Sequence, residues 1–260
     1  MLTSDVWVRC FTSKPKARLR LFCFPYAGGS ASLYRDWETA LPLEVEVCSV
    51  QLPGRENRLQ EAPITHIPSM VQVLTHVIRP YLDRPFAFWG HSMGALIGFE
   101  LARQLRREGM PEPCHLFVSG RKAPQIPNSR IPVHQLPESE FMEEIRRLNG
   151  TTMAVLQNKE LMELLLPTLR ADFALVETYT YYHEAPLGCG ISVFGGLQDD
   201  LVNYDDLEAW NAQTQQNFKV RIFSGDHFFV HSNRHQLLWA MSQDLIRILE
   251  MLSMANFADL

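Results

Sequence analysis

The sequence predicts an α/β fold, a mostly parallel central sheet flanked by helices, and three observations carry that expectation. Short apolar runs alternate with longer stretches of helical period. The runs are near-continuous, the pattern of strands covered on both faces. The 260 residues fit one large domain, read as spanning 1–260.

A first strand is expected over 18–24, where Pro25 stops the run, then a helix over 33–41 and a strand over 45–50. A helix pattern over 68–82 leads to a strand over 86–89, a helix over 94–108 and a strand over 115–119. There the rhythm breaks. Approximately 121–189 holds no good strand, opens with Pro124, Pro127, Pro132 and Pro137, and carries helix patterns over 138–148 and 159–182. It reads as an inserted helical cap, because strands resume over 191–195 and 219–223, with helices over 207–216 and 235–251.

Composition excludes several classes. Lys plus Arg is 24 and Asp plus Glu is 29, a net charge of −5, which argues against a nucleic-acid partner. Hydrophobic residues make up 46% and charged residues 20%, so the chain is not intrinsically disordered. No apolar run approaches the roughly 18 residues of a membrane span. Asp5 stands where a signal peptide would be basic. Cys10, Cys23, Cys48, Cys114 and Cys189 are odd in number and widely spread, which points to reduced thiols in a cytoplasmic protein.

The strongest chemical signal is Gly90-His91-Ser92-Met93-Gly94. A G-x-S-x-G match arises by chance about 0.03 times in such a length. Here it follows an apolar strand and precedes a helix pattern, the setting of a nucleophile elbow. A serine hydroxyl needs a base. Of nine histidines, His227 fits best, after the last strand in Gly225-Asp226-His227 and before the last helix. The orienting acid belongs at the end of the preceding strand, where Asp199 is the choice and Asp200 the alternative. An oxyanion hole needs two N–H groups. Met93 supplies one, and the loop Pro25-Tyr26-Ala27-Gly28-Gly29-Ser30 the other, through Ala27, with Tyr26 and Gly28 as alternatives. His227, His231 and His235 share a helical spacing, but Phe228 stands where a zinc-protease helix needs Glu, so neither metal nor organic cofactor is expected.

Four blocks extend these motifs: 20–30 with Tyr34 and Trp37, Gln51-Leu52-Pro53-Gly54-Arg55-Glu56 with Arg58 and Glu61, the elbow from Trp89 to Ala95, and Gly225-Asp226-His227-Phe228-Phe229. The cap adds Leu169-Arg170-Ala171-Asp172-Phe173 and Glu177-Thr178-Tyr179. Together they resemble the type II, or editing, thioesterases of polyketide and nonribosomal peptide synthesis, over roughly residues 7 to 250. The resemblance implies an α/β-hydrolase fold, a Ser92–His227–Asp199 triad and an oxyanion hole at Ala27 and Met93. It also implies hydrolysis of stalled acyl groups from the phosphopantetheine arm of acyl or peptidyl carrier-protein domains. A general carboxylesterase or lipase, or a thioesterase associated with fatty acid synthase, is the alternative on the same fold.

Two expectations concern the cap. Part of its apolar set, Met153 and Phe173 foremost, is expected to line an acyl chamber over Ser92. Arg121, Lys122, Arg130, Arg146 and Arg147 are expected on a face that meets an acidic carrier. Nothing in the sequence demands more than a monomer.

Overall fold

The computed structural model describes residues 4–128 and 130–258. A short helix α1 (Ser4–Trp7) runs into β1 (Val8–Arg9), followed by β2 (Leu19–Phe24), β3 (Val45–Val50), α2 (Ile67–Ile78), β4 (Phe86–His91), α3 (Met93–Arg107) and β5 (His115–Ser119). Three helices then intervene, α4 (Glu138–Leu148), α5 (Met153–Leu156) and α6 (Lys159–Glu177). The chain continues through β6 (Gly190–Gly196), α7 (Tyr204–Glu208), β7 (Phe218–Phe223), α8 (Phe229–Ser232) and α9 (Arg234–Ala258).

The strands form one seven-stranded sheet in the order β1-β3-β2-β4-β5-β6-β7. Only β1 is antiparallel. Its two residues are too few to leave a periodic signal, and it was not among the expected strands. Side chains alternate between the faces as strand geometry requires. Phe22, Phe24, Phe86 and Phe88 join a core with α2 and α3. Leu21, Cys23, Ala87 and Trp89 join a second core with α9. The intervening helices hold a third, around Phe141, Ile145, Met162, Leu166 and Leu169.

All six expected strands are present, and so is the helix over 138–148. Five helices differ, and the one over 235–251 runs on to Ala258. The stretch 33–41 is a pair of 3₁₀ turns, Ala31–Tyr34 and Trp37–Thr39. The break between the two turns brings Tyr34 and Trp37 together, edge to face at 4.9 Å. The helix over 68–82 stops at Ile78, because Pro80 has no N–H to continue it. The helix over 207–216 starts earlier, at Tyr204, where Asn203 and Asp206 form a reciprocal cap, and its second half is 3₁₀. The helix over 159–182 ends at Glu177. Beyond it, β-branched and aromatic residues favour extended chain, and the Tyr179 hydroxyl is drawn away to Glu100 at 2.6 Å.

The register puts the ends of β2, β4, β5, β6 and β7 at one edge of the sheet. Phe24 lies beside Gly90, His91 beside Ser119, Ser119 beside Phe194, and Gly196 beside Phe223. The loops leaving these ends meet above the sheet, where open α/β folds hold their ligands.

Candidate active site

Ser92 sits between β4 and α3 with φ 52° and ψ −110°, a conformation that a side chain adopts only when its surroundings impose it. Its N–H donates to the Ser119 carbonyl at 2.7 Å, and its own carbonyl accepts from Ala95 at 3.2 Å. The two motif glycines are needed for space. A Cβ on Gly90 would lie 2.1 Å from the Gly94 carbonyl carbon, and one on Gly94 would lie 2.2 Å from the Phe24 carbonyl oxygen. Strand, turn and helix are thus locked backbone to backbone, and Ser92 is left at the N-terminus of a 15-residue helix, where negative charge is favoured.

His227 follows β7 and carries an Nδ1 that is 2.8 Å from Asp199 Oδ2. Asp199 Oδ1 accepts from the Leu201 N–H at 2.8 Å, so both oxygens are held, and the carboxylate is 1% exposed. Asp200 is exposed, and its backbone carbonyl accepts from Arg130 at 2.9 Å. Asp226 turns away from its neighbour: it accepts from the Phe228 N–H at 2.9 Å and from Asn149 Nδ2 at 3.1 Å.

Ser92, Met93, Ala27 and His227 line one cavity of about 630 Å³. The Gly28 N–H is already committed, donating to Asp172 Oδ2 at 2.7 Å. Among the described residues the Ala27 and Met93 N–H groups have no protein acceptor. His91 lies beneath, fully buried, with its ring 5.0 Å from that of His227. Its Nδ1 is 2.9 Å from Ser119 Oγ. Burial, then the charges of His227 and His231, hold its pKa well below 6.5, so it stays neutral under His227.

A buried pair missing from the expectations supports the 25–31 loop. Arg55 binds Asp172 with both Nη atoms, at 3.0 and 2.8 Å, and also donates to the Gly29 carbonyl at 2.9 Å. The same Asp172 receives the Gly28 N–H. Gln51 completes the scaffold, accepting from the Ala31 N–H at 2.8 Å and donating to the Arg55 carbonyl at 3.0 Å. Helix α6, the 51–55 loop and the 25–31 loop are therefore one hydrogen-bonded unit. The available signal was Asp172 itself, a lone acid in an apolar helical run.

Two expectations about the inserted helices change. Phe173 lines the cavity, with Ile145, Leu148, Leu169 and Val176, but Met153 does not: it is 61% exposed on the short α5. Of the rest of the apolar set, Met142, Val155, Leu156, Met162, Leu165 and Leu166 pack among themselves in the third core. Arg121 is not on an outer face; it forms part of the cavity wall.

The three histidines at helical spacing do not converge. His227 meets Asp199, the His231 Nε2 lies 2.8 Å from the Tyr26 hydroxyl, and His235 lines a separate groove with Arg221 and Trp239. Ligand atoms of Cys10, Glu46 and Cys48 gather within 4.8 Å of one another. The Glu46 carboxylate is taken up by Arg20 Nε at 2.7 Å and the Lys14 N–H at 3.2 Å. No helix among the described residues is long and apolar enough to cross a membrane.

Comparison with known proteins agrees with this chemistry. The family model described as thioesterase domain matches residues 19–245. The gramicidin S biosynthesis protein GrsT of Aneurinibacillus migulanus is 49% identical over 233 residues, 90% of this chain and 91% of that protein. The type II thioesterase BorB from the borrelidin biosynthetic cluster superposes with a TM-score of 0.84 at 36% identity, covering 94% of this chain and 99% of that one. The medium-chain S-acyl fatty acid synthase thioesterase of Homo sapiens is 32% identical over 95% of this chain and 94% of its own length.

Proposed function

The chain belongs to the thioesterase family, and from that premise we propose that it is an editing thioesterase. It hydrolyses stalled or misprimed acyl groups from the phosphopantetheine arm of carrier-protein domains in polyketide or nonribosomal peptide synthesis. The observation that carries the reading is the His227–Asp199 bond, 2.8 Å, in a cavity that also holds the Ser92 elbow. Similarity to GrsT and BorB over nearly the full chain favours this role over a fatty-acid-synthase or lipase role on the same α/β-hydrolase fold.

In this mechanism Ser92 Oγ attacks the thioester carbonyl. With Nδ1 committed to Asp199, Nε2 of His227 is the nitrogen that takes the serine proton. Asp199 fixes the tautomer and stabilises the imidazolium. The Met93 and Ala27 N–H groups receive the tetrahedral oxyanion. The pantetheine sulfur, with a thiol pKa of roughly 8.5, is a good leaving group and takes the proton back from the His227 imidazolium, which returns to its neutral form. Water, deprotonated by His227, then releases the carboxylic acid from Ser92. The inserted helices act as the lid of the acyl chamber. The enzyme works in the cytoplasm as a monomer, and the basic side chains at the rim, Lys122, Arg130 and Arg147, face the carrier.

Comparing kcat/KM for a pantetheine thioester and the oxoester of the same acyl group tests the reaction class. The proposal expects the thioester to be preferred by about a hundredfold or more. Equal turnover would favour a general esterase.

A further inference from the structure

Arg121 is the cation in the cavity wall for which the mechanism above has no use. It follows Gly120, which has φ 55° and no room for a side chain: a Cβ there would lie 2.5 Å from His91 Cε1. The backbone leaving β5 thus presses against the neighbour of Ser92, and the carbonyl of Ser119, two residues before Arg121, accepts the Ser92 N–H. The Arg121 backbone is fixed from behind, because its carbonyl accepts from Trp210 Nε1 at 2.8 Å and the Ala123 N–H donates to the Asp206 carbonyl at 3.0 Å.

The side chain is half-buried and lacks the acidic partner that such an arginine normally has. Its Nε is occluded without a hydrogen-bond partner, and among the described residues no carboxylate pairs with the guanidinium. The acids that line the cavity are engaged elsewhere. Asp172 is bound by Arg55 at 2.8 Å, and Glu144 by Arg147 at 2.6 Å. Glu177 accepts from the Val133 and His134 N–H groups and pairs with His134 Nδ1 at 2.6 Å. Burial lowers the Arg121 pKa to about 10, which leaves it charged at neutral pH. A guanidinium presents five donors in a planar fork suited to a carboxylate, and beside the protein wall its field is less screened than in bulk water.

We propose that Arg121 is a specificity-determining residue of the acyl chamber: its free Nη groups receive an anionic oxygen carried by the acyl portion of the substrate, and its charge turns away acyl groups that bear an α-ammonium. This rests on the thioesterase reading. The acyl portion is favoured over the phosphate of the arm because Arg121 springs from the strand end beside the nucleophile, with Nε sealed from solvent. Lys122, Arg130 and Arg147 are the solvent-facing cations of the cavity: Lys122 and Arg130 donate to the Pro127 and Asp200 carbonyls, and Arg147 pairs with Glu144.

The test uses malonyl-, propionyl- and glycyl-pantetheine, three short acyl thioesters of negative, neutral and positive charge. Arg121→Gln should lower the malonyl-to-glycyl ratio of kcat/KM by about tenfold or more, with propionyl turnover within about threefold of wild type. Arg121→Lys should restore most of the ratio. An unchanged ratio, or an equal loss for all three substrates, overturns the proposal. If Arg121→Gln does not fold, calorimetry decides with the Ser92→Ala chain, in which malonyl-pantetheine should bind about tenfold or more tighter than glycyl-pantetheine. Equal affinities would refute the subsite. Absence of turnover with all three substrates, with that binding preference intact, would indict the thioesterase reading and leave the anion subsite standing.

Discussion

Asp199 and Asp200 are adjacent in one loop, yet the structure gives them different surroundings. Asp199 has one oxygen on the Leu201 N–H and the other on His227, whereas Asp200 is exposed. Asp199→Asn should therefore lower kcat/KM by about a thousandfold or more, and Asp200→Asn by less than about threefold. Steady-state kinetics on the two variants checks this. The placement of Ser92 in a strand–helix turn and of His227 after the last strand was legible in the sequence because the surroundings are local: two glycines that a Cβ would break, and a Gly-Asp-His turn. The choice between the two aspartates was not, because it depends on which carboxylate the loop turns toward an imidazole 28 residues away. Arg121 was misplaced for a similar reason. A basic residue in a proline-rich stretch reads as surface until its lack of a partner is seen.

Helix α6 is both wall and anchor. Its Phe173 faces the cavity, while its Asp172 ties it to Arg55 and to the Gly28 N–H. Asp172→Ala and Arg55→Ala should each destabilise the fold by about 3–5 kcal/mol, since each strands a buried partner, and the double variant should lose much less than the sum. Denaturant unfolding of the four proteins measures the coupling, and strict additivity would refute a direct pair. The chamber makes a second contrast. Phe173→Trp should shift acyl-chain preference toward shorter groups, and Met153→Trp, on the exposed α5, should leave the profile unchanged. Hydrolysis of a chain-length series resolves the two. The helices most legible in the sequence were those with uninterrupted apolar periodicity, such as α3 and α4. The 31–39 segment was not, because Tyr34 and Trp37 reach into the core from 3₁₀ turns whose spacing also suits an α-helix.

Across the whole molecule, the sheet holds two histidines in neutral form. Burial lowers the pKa of His91 well below 6.5 and that of His115 to about 4. Both shifts are downward, so below pH 6.5 the unfolded chain binds more protons than the folded one, and stability falls as pH drops. His115 alone accounts for up to about 3 kcal/mol between pH 6.5 and pH 4. Urea unfolding across that range should show the decline, and His115→Gln should flatten it; a pH-independent midpoint would contradict the burial argument. The α/β architecture was legible because parallel strands buried on both faces must be continuous and apolar, and the sheet edge that gathers Ser92, Asp199 and His227 follows from it. The central claim is that this edge clears acyl groups from a carrier arm. Its most direct test is release of an acetyl group from a phosphopantetheinylated carrier domain, wild type beside Ser92→Ala. The account predicts that wild type clears the arm and that Ser92→Ala is slower by about a thousandfold or more. If both leave the arm loaded while wild type cleaves a simple oxoester, the elbow is real and the editing role is wrong.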